Sequence, residues 1–220
     1  MRAIILFMTA RVSALVAIGA LSLAFTAQLH ASLPRDPFGR DSVLLLDGVN
    51  GVAAKWRDEL ARIAIDQEAV KVCTGETLSD CRAALKLFAI VEEARSYRGR
   101  ALVGHINRAI NLSLRPSPGA WLSPLDVLRR GTGDCKDYAL AKYFALRQAG
   151  ISPDRLRLVI VHNKRRGEDH MVVAADEGGG WLILDNRTMA LVTDVEASAV
   201  YLPLFVLDDT GARRYVLPVS

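Results

Sequence analysis

The sequence contains few cysteines, few histidines and little net charge. Its 220 residues include three cysteines and four histidines, and 28 basic residues stand against 24 acidic ones. This balance gives no reason to expect nucleic acid as a partner, because proteins that bind nucleic acid carry a strong excess of basic residues. No internal repeat or low-complexity tract is visible, and 51% of the residues are apolar. We therefore expect one domain with a sizeable core and no wholesale disorder.

The long charge-free apolar stretch lies at the N-terminus, after Arg11. Small residues follow it, and Ala27 and Ala31 are candidate cleavage points of a secretory signal peptide. An uncleaved anchor is the alternative, since the charge-free run is barely long enough to span a membrane. The prediction is a signal peptide at residues 1–31 and a single domain at 32–220. With either a cleaved signal or an uncleaved membrane anchor, the folded part would lie outside the cytoplasm.

The cysteines separate into a close pair and a single residue. Cys73 and Cys81 bracket a short polar loop, and Cys135 stands alone further along. In an oxidising compartment the close pair predicts a disulfide bond and leaves Cys135 as the free thiol. A zinc site is the competing interpretation, but the spacing is wrong and no histidine lies near the pair.

The first half of the chain has helical periodicity and the second half has strands. The fold class that follows is α+β, with helices first and then an antiparallel meander packed against the helix that begins at Cys135. After Asp208 we expect a polar tail. Helices are predicted at residues 52–67, 81–98, 100–111, 123–130 and 135–149, and strands at 43–46, 156–162, 170–175, 181–185, 191–192 and 201–206.

The stretch from Gly131 to Gly150 contains the first candidate for chemistry. Two glycines and an acidic residue lead into Cys135, and an amphipathic helix follows it. A thiol in the first turn of a helix lies near unpaired N–H groups and the positive end of the helix dipole, which favour the thiolate. The alternative is that Cys135 simply packs in the core, as free cysteines commonly do.

A histidine and an aspartate complete a possible triad. His170 begins one predicted strand and Asp185 ends the next, so the two would be neighbours in an antiparallel hairpin. Imidazole can deprotonate a thiol, and a carboxylate can fix the tautomer and orientation of the imidazole. The spacing therefore predicts Cys135, His170 and Asp185 as nucleophile, base and orienting acid, although it does not bring Cys135 to that end of the sheet.

The segments GDCKDYA, DHMVV and WLILDN resemble the bacterial transglutaminase-like cysteine peptidases. The resemblance implies a papain/transglutaminase-like core and assigns the triad roles to Cys135, His170 and Asp185. LapG-type members are periplasmic proteases that release surface adhesins and disperse biofilms. The resemblance thus implies a protein substrate, an adhesin for example, and an inner-membrane receptor as a regulatory partner.

The resemblance also raises the question of calcium. LapG-type members bind calcium through acidic residues that flank the catalytic cysteine, and Asp134 matches one of them. Lys136 stands where those members carry Glu, and a cation there removes an oxygen ligand and adds repulsion. We therefore expect that the protein requires no cofactor. Calcium binding is the alternative, and the positive charge of Lys136 disfavours it. Asp137 is a candidate for capping the helix instead.

The sequence offers several candidate oxyanion donors and more than one function. The Cys135 backbone N–H is the natural oxyanion donor. Asn111 and Trp121 could also reach the site, although Trp121 is better explained as core packing. The same triad would support acyl transfer to an amine, and a non-catalytic binding module could retain the fold.

Overall fold

The computed structural model describes residues 36–45, 51–73, 81–119 and 121–216. The predicted signal peptide lies outside them, and so do residues 74–80 of the cysteine loop. All the described residues belong to one compact unit. Within these four ranges, no helix has both the length and the apolar character needed to cross a membrane. Cys73 and Cys81 are joined in a disulfide bond.

Helices form the first half of the described chain, as the periodicity predicts. The first helix is longer than predicted and continues to Val72. The second is shorter and ends at Arg95 instead of residue 98. The described helices are α1 (Val52–Val72), α2 (Arg82–Arg95), α3 (Arg100–Ser113), α4 (Pro124–Arg130), α5 (Cys135–Gln148) and a short α6 (Asp194–Ala197).

The second half supplies six of the seven strands of an antiparallel sheet with the order β1-β9-β8-β4-β5-β6-β7, and β1 comes from the start of the described chain. The predicted meander is present as β4 to β7, and β8 returns to pair with β4 on its other side. The strands are β1 (Ser42–Leu44), β4 (Leu156–Asn163), β5 (Glu168–Asp176), β6 (Trp181–Leu184), β7 (Val192–Thr193), β8 (Tyr201–Asp208) and β9 (Gly211–Tyr215).

The central strands are buried on both faces, which explains their continuous apolar runs. In β5, Met171 and Val173 pack with the helices, whereas Val172 and Ala174 pack in a second cluster on the opposite face. Helix α5 packs against β4 and β5. Because α5 is sandwiched between the sheet and the other helices, its side chains are buried nearly all round.

The prediction of a polar tail after Asp208 is wrong. Residues of this segment form β9, which pairs with β8 and β1. One of its two arginines, Arg213, donates to Asp36 at 2.9 Å and to Asp208 at 2.8 Å, so this charged side chain is paired within the fold. A second addition is a short parallel pairing between β2 (Arg115–Pro116) and β3 (Thr132–Gly133).

Helix α1 is held to the rest of the domain by buried polar contacts. The Trp56 indole N–H donates to the Asp208 carbonyl at 2.8 Å, and the Asp66 carboxylate accepts from the Leu125 N–H at 2.8 Å. Glu59 lies between them on the helix and is fully buried. Its Oε2 accepts from Arg62 at 3.0 Å, whereas its Oε1 has no hydrogen-bonding partner among the residues that the structure describes.

Burial raises the pKa of Glu59 from 4.5 to about 7, although Arg62 works against the shift. The unfolded chain therefore loses this proton at a lower pH than the folded chain, and stability falls as pH rises from about 4.5 to 7. We expect Glu59→Gln to remove this fall and to raise the free energy of unfolding at pH 8 by about 1–2 kcal/mol. Urea unfolding at pH 5 and pH 8 measures the effect. If the free energy of unfolding changes with pH equally in wild type and in the variant, the expectation is contradicted. The control is Glu68→Gln, which alters an exposed glutamate of α1.

Candidate active site

The N-terminus of α5 is fixed by a reciprocal pair of aspartates. The Asp134 side chain accepts from the Lys136 N–H, and the Asp137 side chain accepts from the Asp134 N–H at 3.0 Å. These bonds satisfy N–H groups that the helix itself leaves unpaired. Asp137 also accepts from the Leu122 N–H at 3.3 Å. The expected capping role of Asp137 is thus present in the structure.

Gly133 is required by the close approach of Asp137. A Cβ atom at residue 133 would lie 2.6 Å from the Cβ of Asp137, a separation that real Cβ atoms essentially never show. Any other residue would displace the Asp137 carboxylate and disturb the cap. The GDC sequence therefore combines a glycine for space, a capping aspartate and the cysteine that begins the helix.

The preceding elements deliver the chain to this point. Ser123 caps α4 by accepting from the Asp126 N–H at 3.3 Å, and Gly131 ends α4 with a φ of 68°, which favours glycine. The chain then pairs in parallel with β2 before α5 begins. Tyr138, one turn into α5, donates to the Leu114 carbonyl at 2.8 Å. These contacts orient Cys135, which is half-buried and is the free cysteine of the described residues.

His170 and Asp185 come together at the end of the β5–β6 hairpin. The His170 Nε2 and the Asp185 Oδ1 are 2.8 Å apart, and both side chains are buried. The hairpin register pairs Val173 with Leu184, which places the residue after Leu184 alongside the start of β5. The sequence prediction that these two residues are neighbours agrees with this geometry.

Asp185 is held by further donors that the sequence did not indicate. The Tyr201 hydroxyl donates to Oδ2 at 2.5 Å, and the Arg187 N–H donates to Oδ1 at 2.9 Å. The Tyr201 ring also stacks on His170, with ring centroids 5.9 Å apart. Tyr201 begins a strand that was predicted, but the pairing of that strand with β4 brings it to the site, and local sequence does not reveal this pairing.

Cys135 and His170 shift each other toward the charged forms. Burial alone raises the pKa of Cys135, but the interaction with the nearby His170 and the Met171 N–H outweigh it, so this pKa lies below its ordinary value. Burial lowers the pKa of His170, but the Asp185 and Cys135 interactions outweigh burial and raise it. The pKa of Asp185 falls to about 2, since His170 and Tyr201 overcome its burial. The arrangement favours a thiolate beside an imidazolium.

The remaining His170 nitrogen, Nδ1, is the one available to the thiol. It is buried and has no hydrogen-bonding partner among the described residues. Cys135 and His170 each shift the pKa of the other, so the sulfur lies near the imidazole ring. Since Nε2 is engaged by Asp185, the carboxylate fixes which nitrogen faces the cysteine.

Asn111 does not act as an oxyanion donor in this structure. It lies within α3, and its side-chain amide donates to the carbonyls of Asp185 at 3.0 Å and Thr188 at 3.1 Å. Its role is to hold the turn that follows Asp185. Trp121 packs against the hydrophobic core, as its alternative interpretation expected.

Asp134, the candidate calcium ligand, is engaged by Lys136. The Lys136 ammonium donates to Asp134 Oδ2 and to the Gly119 carbonyl at 2.9 Å. Across the described ranges, no group of three His, Cys, Asp or Glu side chains is placed to hold a metal ion. The residues present therefore do not fit the calcium site that the resemblance implies.

Lys142 is a buried charge that the sequence did not single out. It lies two turns after Cys135 on α5 and is 1% exposed. Burial lowers its pKa from 10.5 to about 7, although the nearby Asp185 charge acts to raise it. A lysine in a helix is ordinarily a surface residue, so only the packing of α5 against the sheet reveals that this one is buried.

Lys142 makes stability depend on pH above neutrality. Because its folded pKa is lowered, the unfolded chain binds a proton between pH 7 and 10.5 that the folded chain lacks, and stability rises with pH there. We expect Lys142→Met to remove about 2 kcal/mol of the rise between pH 7 and pH 9. Urea unfolding at both pH values tests this, with exposed Lys55→Met as the control. An unchanged rise in the Lys142 variant would contradict the assignment.

Comparison with known proteins agrees with this architecture. The family model described as bacterial transglutaminase-like cysteine proteinase matches residues 71–204. No curated protein gives a significant sequence match. Among solved structures, Legionella pneumophila LapG is 19% identical, with a TM-score of 0.57 over 67% of this chain and 86% of that chain.

Two further LapG structures from the same organism match similarly. The calcium-bound form is 19% identical, with a TM-score of 0.56 over 69% of this chain and 87% of that chain. The EGTA-treated form is 20% identical, with a TM-score of 0.56 over 67% of this chain and 84% of that chain. At such identities the likeness concerns the fold, whereas the family match spans more than half of the chain. The chain therefore belongs to the bacterial transglutaminase-like cysteine proteinases and has their α+β fold.

Proposed function

We propose that this chain is an exported cysteine peptidase that cleaves a protein substrate through Cys135, His170 and Asp185. The observation that supports this most directly is the hydrogen bond between His170 and Asp185, with the Cys135 thiol near enough to the imidazole for the two to shift each other's pKa. The pKa of Cys135 is lowered and that of His170 is raised. The thiolate is the nucleophilic form of cysteine, and the imidazolium beside it can protonate a leaving amine.

In this mechanism the Cys135 sulfur adds to the carbonyl carbon of the substrate amide. The C–N bond then breaks, His170 gives its proton to the departing amine, and a thioester remains on Cys135. His170 next takes a proton from water, the resulting hydroxide adds to the thioester, and the acid leaves as the Cys135 thiolate is restored. Asp185 holds His170 in one orientation through both steps.

The oxyanion that forms in each step needs a fixed donor. The Cys135 backbone N–H lies at the first helical position, where the helix offers it no carbonyl partner. It also lies at the positive end of the helix dipole, which stabilises developing negative charge. We assign the oxyanion interaction to this N–H, since the Asn111 amide is committed to the turn after Asp185.

The substrate class and location in this proposal rest on the family resemblance of the sequence. We propose a cell-surface adhesin as the substrate, the periplasm as the location and an inner-membrane receptor as the regulatory partner. The proposed mechanism uses no cofactor, because His170 activates the nucleophile and moves the proton.

Alkylation of Cys135 tests the pairing of thiol and imidazole. Because Cys73 and Cys81 are bonded to each other, iodoacetamide labels Cys135 selectively among the described cysteines. We expect wild type to react well below the ordinary thiol pKa of 9.0 and His170→Ala to react only at higher pH. Cys135→Ser gives the background. If wild type and His170→Ala titrate alike, the proposed pair is absent.

Cleavage is tested with cells that lack the chain. Purified wild type or Cys135→Ser is added to their surface proteins, and new N-termini are identified by N-terminal labelling and mass spectrometry. We expect new termini with wild type alone, and no stable incorporation of dansylcadaverine. Incorporation of that amine without new termini would instead favour acyl transfer. If Cys135 is reactive and yet neither new termini nor amine incorporation is found, peptidase action on surface proteins is contradicted.

A further inference from the structure

Lys136 occupies an unfavourable place for a cation. It is the second residue of α5, near the positive end of the helix dipole, where acidic residues are preferred. Its side chain is only 16% exposed, so it is not a solvated surface lysine. A cation in this position requires partners that outweigh both the dipole and the loss of water.

The partners are a carboxylate and a backbone carbonyl from another part of the chain. The Lys136 ammonium donates to Asp134 Oδ2 and, at 2.9 Å, to the Gly119 carbonyl. The Lys136 backbone N–H donates to the other oxygen of Asp134 at 3.2 Å. The residue therefore engages both carboxylate oxygens and links the helix cap to Gly119.

Gly119 belongs to the segment that passes beside the N-terminus of α5. Strand β2 pairs in parallel with β3, and the Ser117 N–H donates to the Gly133 carbonyl at 2.8 Å. The bond from Lys136 to Gly119 continues this attachment further along the segment. Through it, the position of residues 117–119 is tied to the helix that carries Cys135.

We propose that the Lys136 ammonium is a built-in cation that links Asp134 to the Gly119 segment, so that the Cys135 site keeps its geometry without calcium. Carboxylate and carbonyl oxygens are the ligands that calcium prefers, and here a tethered ammonium engages them. A calcium ion at the same oxygens would be repelled by that ammonium. One of the matched LapG structures is calcium-bound. In this chain an ammonium already engages the Asp134 carboxylate.

The tether also affects the thiol. The negative charge of Asp134 acts to raise the pKa of Cys135. The Lys136 ammonium lies against that carboxylate and offsets its charge. Lys136 is thus a positioning residue that also shields Cys135 from Asp134, and it takes no proton in the reaction.

Removing the ammonium tests this role. We expect Lys136→Met to move the pH midpoint of Cys135 alkylation upward and to slow alkylation at pH 7 several-fold. Adding Asp134→Asn to that variant should return the midpoint toward wild type, because the unshielded charge is then gone. Lys86→Met is the matched control, since Lys86 donates to the Ser113 carbonyl at 3.1 Å and lies outside the site. It should lower stability without moving the midpoint, and a Lys136→Met variant that behaves in the same way would overturn the shielding role.

Calcium itself is tested without any substrate. We expect the melting temperature of wild type to be the same in EGTA and in CaCl2, and calorimetric titration with calcium to give no binding heat. Lys136→Glu should melt at a higher temperature in CaCl2 than in EGTA. Calcium-dependent melting of wild type, or a Lys136→Glu variant that ignores calcium, would overturn the proposal. Only the alkylation test rests on the proposed function, so a failure of peptidase action remains distinguishable from a failure here.

Discussion

The candidate site depends on satisfying one buried carboxylate. Asp185 is 5% exposed, and an ionised carboxylate at such a position without partners would cost several kcal/mol. His170, Tyr201 and the Arg187 N–H supply the hydrogen bonds that it needs. Because these groups come from β5, β8 and the turn after β6, the need to satisfy one carboxylate constrains how three parts of the sheet meet. The orientation of the imidazole follows from that constraint.

The thiol comes from a separate part of the fold and is fixed in a different way. Cys135 is placed by the start of α5, which depends on the Asp134–Asp137 cap and on the space left by Gly133. Packing of α5 on β5 then brings the sulfur to His170 and to the Met171 N–H. The helix sets the position of the nucleophile and the sheet sets that of its base, so the mutual pKa shifts report how well these two elements are packed.

Local signals in the sequence predicted what is fixed locally. The capping role of Asp137, the helix start at Ser123 and the hairpin that brings His170 beside Asp185 all depend on residues close together in the chain. Strand β9 was missed because Arg213 and Arg214 make the segment polar in sequence, and the sequence does not reveal that Arg213 is paired with distant Asp36 as well as with nearby Asp208. The Tyr201 contact and the burial of Lys142 were missed for the same reason. Both depend on packing between elements far apart in sequence.

Two buried charges give the domain an unusual pH dependence. Burial gives both Glu59 and Lys142 a pKa of about 7. Glu59 is neutral below that pH, whereas Lys142 is neutral above it. The contribution of Glu59 to the free energy of unfolding declines as pH rises toward 7. The contribution of Lys142 to the same free energy increases only as pH rises above 7. Their combined destabilisation is therefore largest near neutral pH, where both side chains are partly or fully charged inside the fold. Glu59 lies near Asp137 of the cap, and Lys142 lies near Asp185. The charges that reduce stability are thus beside the residues that position Cys135 and His170, which indicates that this region is not optimised for stability alone.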